Sequence, residues 1–96
     1  MKLDRIKEIK KKLIKENYKI FDFENYFELV KENKYKLFKV IYIKKLNQLT
    51  LIIKDTRTDM IISSKYYDLL KITDIDFIFL IDRIKMFYRL FDDLFI

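Results

Sequence analysis

Apolar residues along this 96-residue chain change period twice, and each change marks an element. Over residues 3–16 the positions Leu3, Ile6, Ile9, Leu13 and Ile14 recur at helical spacing, although Lys2 and Lys10 roughen the face. Asn17 is the natural stop, because in a chain without glycine asparagine best tolerates the left-handed conformation. Asp22 then reads as an N-cap, with Phe21 and Tyr26 as a hydrophobic staple. Phe23, Tyr26, Phe27 and Val30 supply the i, i+3, i+4, i+7 stripe of a second helix ending at Asn33. These two segments predict a helical hairpin.

From Tyr35 the period shortens. Residues 37–43 and 49–53 are rich in β-branched and aromatic side chains, with Asn47 and Gln48 between them to make a hairpin turn. The polar run 55–59 is a second turn, and residues 60–63 form a third strand. A three-residue turn gives Leu37, Ile41, Ile43, Leu51 and Ile53 one core face. It sends Lys36, Phe38, Val40, Tyr42, Lys44, Thr50, Ile52 and Lys54 to the other. A two-residue turn swaps those partners. The first register gathers the lysines on one side and is the one expected. It leaves an outer face apolar enough to need a cover.

A short helix or turn follows over 65–72. The longest periodic stretch is 73–96, where Thr73 caps a helix on the order of 30 Å long. Phe77, Leu80, Ile81, Ile84, Phe87, Tyr88, Phe91, Leu94 and Phe95 make its main stripe. A narrower second stripe, Phe79, Arg83, Met86 and Leu90, either meets the first helix pair or forms an exposed protein contact. The pattern thus predicts one small α+β domain spanning 1–96. Its parts are an N-terminal helical hairpin, a three-stranded antiparallel meander and a long C-terminal helix, in ααβββαα order.

Composition narrows the chemistry. Gly, Pro, Ala, Cys, His and Trp are all absent, as expected of an A/T-rich coding sequence. Without Gly there is no phosphate-cradling loop, and without His or Cys no usual triad, imidazole base or zinc site. The expectation is no enzyme and no cofactor or metal. A nuclease-like cluster of Lys54, Asp55 and Asp59 is better read as ordinary turn chemistry. No leader stands out, and the longest apolar run, 77–81, is far below the roughly 20 residues of a membrane span, so a cytoplasmic protein is expected.

The net charge is +6, carried by 17 Lys and 4 Arg against 15 acids. It concentrates in residues 1–19 (8 basic, 3 acidic) and 35–64 (6 basic, 2 acidic). The leading expectation is a binding protein whose partner is another protein or a nucleoprotein complex, through Phe79, Arg83, Met86 and Leu90. Small inhibitors of host defence complexes made by phages and other mobile elements, anti-CRISPR proteins among them, have this general size and composition. The alternative is a nucleic-acid-binding regulator using Lys10, Lys11, Lys12, Lys36, Phe38, Tyr42, Lys44 and Lys54, because cations interleaved with aromatics suit single strands. A homodimer through the C-terminal helix is the third reading.

Overall fold

A computed structural model of the chain describes residues 2–95, with residues 2–4 given by backbone alone. Leu3 of the first stripe and the terminal Ile96 therefore lie outside the described side chains. The molecule is a small compact α+β domain with a five-stranded antiparallel sheet and three helices.

Helix α1 (Lys2–Lys15) buries Ile6, Ile9 and Leu13. Its end is built as the sequence predicts. Asn17 takes φ 72°, its N–H donates to the Ile14 carbonyl at 3.1 Å, and the Tyr18 N–H reaches back to Leu13 at 3.2 Å. Tyr18 then packs in the same buried cluster as Leu13, closing the Schellman arrangement.

The second predicted helix is instead a β-hairpin, β1 (Lys19–Asp22) and β2 (Tyr26–Asn33). Phe27 and Leu29 point into the core while Tyr26, Glu28 and Val30 point away, so a period of two overrides the apparent helical stripe. Phe23 and Tyr26 stack with ring centroids 4.6 Å apart at the reversal, where a staple was expected between Phe21 and Tyr26. Asn33 stops no helix. Lys34 takes the positive φ, 53°, and turns the chain into β3 (Lys36–Ile43).

Strands β3, β4 (Gln48–Asp55) and β5 (Met60–Asp68) complete the sheet in sequence order, so the expected meander is the C-terminal part of a larger one. The β3–β4 turn has four residues, 44–47, with Ile43 opposite Gln48. Phe38 faces Ile53, Val40 faces Leu51 and Tyr42 faces Leu49. This even-length turn reverses the expected faces of β3, sending Lys36, Phe38, Val40 and Tyr42 inward and Leu37, Ile41 and Ile43 out, while Leu51 and Ile53 stay inward as expected. Asn47 makes the turn with φ 50° and its Oδ1 accepts from the Tyr42 hydroxyl at 2.6 Å. That bond satisfies the one polar atom of an otherwise buried ring. Strand β5 extends through residues read as a helix at 65–68.

The long C-terminal helix is broken. Thr73 caps α2 (Asp74–Ile78) by accepting from the Asp76 N–H, as expected, but Phe79 interrupts before α3 (Leu80–Arg89). Phe91 then takes φ 61° and a short 3-10 turn covers Asp92–Phe95. Lys36 explains the early stop. Its stem is buried and its ammonium donates to the Tyr88 carbonyl, left free at the helix end, and to Asp92. Phe95 folds over the same ammonium, 5.5 Å from ring centroid to Nζ, while Phe91 and Leu94 of the predicted stripe stay exposed.

All three helices lie on one side of the sheet. Ile6, Ile9 and Leu13 of α1 and Leu80, Ile84 and Phe87 of α3 share one buried cluster with the inward residues of β2, β3 and β4. Phe38 sits at its centre, with the Tyr88, Phe87 and Tyr18 rings at 5.4, 6.0 and 6.1 Å. Phe38→Ala is expected to cost about 3–5 kcal/mol in urea unfolding, against about 1 kcal/mol for Ile41→Ala one strand face away. Similar losses for the two would contradict this register.

Candidate protein-docking surface

The second stripe of the C-terminal segment faces solvent. Phe79, Met86 and Leu90 are 51%, 66% and 46% exposed, on the side of α3 that flanks the buried Leu80, Ile84 and Phe87. The reading in which this stripe packs against an N-terminal helix pair fails, because no such pair exists and α1 lies on the sheet. Arg83 is held at the head of the stripe by an ion pair with Asp76 at 3.1 Å. Between α3 and β5 runs a shallow groove of about 210 Å³ lined by Lys65, Tyr67, Arg83, Met86, Phe87 and Leu90. An apolar groove with a positioned guanidinium at its edge can receive an apolar side chain with a neighbouring acid or carbonyl.

The residues grouped for nucleic acid do not form one surface. Lys36, Phe38 and Tyr42 are interior. Lys54 pairs with Asp59 at 2.7 Å, Lys10 with Asp22 at 3.2 Å, and Lys12 with Glu8 at 3.8 Å. Lys44 donates to the Phe23 carbonyl. Lys11 stays exposed, and with Lys7 and Lys15 it makes a ridge at four-residue steps. Among the described residues none of these three is in an ion pair.

The acids of the β4–β5 turn serve the turn itself. Asp55 Oδ1 accepts from the Arg57 backbone N–H at 2.9 Å, and the guanidinium closes on both carboxylate oxygens. That hydrogen-bonded guanidinium holds the Asp55 carboxyl below its ordinary range. Arg57 also donates to the Leu94 carbonyl at 3.0 Å, tying the turn to the C-terminal segment. Among the described residues no group of three or more acids could hold a metal ion, and no helix is long and apolar enough to cross a membrane.

Sequence reasoning missed a further surface, the uncovered face of the sheet. Its signal was present in the parity of the turn: with four residues between Ile43 and Gln48, the β3 side chains expected in the core, Leu37, Ile41 and Ile43, join the open face, while Leu51 and Ile53 stay buried. Compared with known protein families, curated proteins and solved structures, the chain has no match.

Because the folded carboxyl of Asp55 is lowered, its stabilising effect is present above the ordinary pKa of 3.8 and is lost as pH falls through the lower folded value. Wild-type urea midpoints should therefore drop more steeply below pH 3.8 than those of Asp55→Asn. Parallel acid limbs would contradict the assignment.

Proposed function

We propose that this protein acts without catalysis, by docking another protein or a protein–nucleic-acid complex on the outer stripe of α3. The observation that supports this reading is the exposure of Phe79, Met86 and Leu90 beside Arg83, in a chain without histidine or cysteine. Large apolar groups and arginine in one patch are the composition of interface anchors. Host defence complexes blocked by phage or mobile-element products are the partner class to try first, on grounds of size and composition.

A second reading has its own observation, the exposed ridge of Lys7, Lys11 and Lys15 along α1, in no ion pair among the described residues. Four residues of helix advance about 6 Å, so the ridge presents evenly spaced ammonium groups to a phosphate backbone. If it binds nucleic acid, log affinity should fall against log salt with a slope of about −2 to −3. Binding indifferent to salt would remove this reading.

The principal reading is tested with Phe79→Ser/Met86→Ser. Both side chains are exposed, so stability should stay within about 1 kcal/mol of wild type while capture of the partner is lost. Unchanged capture by a folded double variant would overturn the docking role of the stripe.

A further inference from the structure

We infer that the chain forms a homodimer by apposing the uncovered faces of two sheets. This face is independent of the α3 stripe. Cross-strand partners place Phe21, Glu28, Ile41, Thr50 and Tyr66 in one row, and Lys19, Val30, Lys39, Ile52 and Ser64 in the next. None of these residues belongs to the buried cluster or packs against it. An antiparallel sheet can face water on one side, but its outward positions are then polar. Here Val30, Leu37, Ile41, Ile43 and Ile52 fill the middle strands, flanked by the exposed rings of Phe21 and Tyr66.

Charge selects a second copy as the occupant. The outward strand positions carry Lys19, Lys39 and Lys54 against Glu28, Glu32 and Asp68, so the face is neutral on a protein of net charge +6. An anionic partner finds no net attraction there. Two copies meeting on this face keep the lysine ridge of α1 a full sheet thickness of about 10 Å behind the contact, beyond the screening length at physiological salt. Glu28 and Lys39, near the centre, already pair at 3.7 Å and so enter the contact with their charges matched.

The area is also adequate. Strands spaced by about 4.8 Å, four residues long in β1, eight in β2 to β4 and nine in β5 and rising about 3.3 Å per residue, give on the order of 600 Å² of planar face. Side-chain relief raises the accessible area above that, close to the roughly 800 Å² per partner of a standard interface. The product is a four-layer α-β-β-α particle with an α3 stripe on each outer layer. It would be bivalent toward any partner of that stripe.

Light scattering on the eluting protein tests this, with a mass of twice the 12.0 kDa chain expected. Ile41→Thr/Ile52→Thr keeps β-favouring residues and makes the face polar; self-association should weaken roughly a hundredfold. Met86→Ser should leave the dimer intact. A wild-type monomer at millimolar concentration would overturn the proposal, as would a dimer that survives the threonine variant or one abolished by Met86→Ser. Should the double variant unfold, isotope-filtered NMR on mixed labelled and unlabelled wild type decides. Intermolecular contacts from the Ile41 methyl groups support the face-to-face dimer, and a dimer lacking them contradicts it.

Discussion

The pairing of β3 with β4 is the constraint on which the rest of the molecule turns. With Phe38 opposite Ile53 and Tyr42 opposite Leu49, four large side chains meet on the side where α1 and α3 can cover them. A slip of one residue would carry Phe38 and Tyr42 to the face away from Leu49 and Ile53. The Tyr42–Asn47 hydrogen bond ties that register to the turn that creates it, and Lys36 ties it to the far end of α3. A lysine buried along its stem, with its ammonium on a helix-terminal carbonyl and on Asp92, cannot be moved to the solvent face without freeing both partners.

Local signals at chain reversals were legible in the sequence, because a single residue decides them. Asn17 and Asn47 do take left-handed conformations, and Thr73 does cap a helix. Period was a weaker guide wherever two periods fitted one segment. Phe23, Tyr26, Phe27 and Val30 satisfy a helical stripe, and the same stretch also alternates through Phe27 and Leu29. Only the availability of β3 as a neighbour makes the strand the better way to satisfy its backbone. The long helix was overextended for a related reason. Its apolar stripe continues through Phe95, yet Lys36 and Arg57 recruit the carbonyls of Tyr88 and Leu94, and the chain bends to meet them.

The candidate sites divide along the same line. The α3 stripe was visible because helical spacing places Phe79, Met86 and Leu90 on one side whether or not the helix runs on to residue 96. The lysine and aromatic set on β3 was a product of the wrong turn parity: three of its members support the core. What the turn parity removes from one face it adds to the other, and Leu37, Ile41 and Ile43 become surface beside Ile52. A chain lacking Gly, His and Cys is thus left with two apolar surfaces of different character, a narrow stripe edged by arginine and a broad neutral sheet.

The open sheet face follows from the β3–β4 register, and cross-strand NMR contacts measure that register directly. Backbone proton contacts joining Phe38 to Ile53, Val40 to Leu51 and Tyr42 to Leu49 are the predicted result. Contacts joining Ile41 to Leu51 and Ile43 to Leu49 would contradict it, and with it the placement of every side chain that the sheet sends outward.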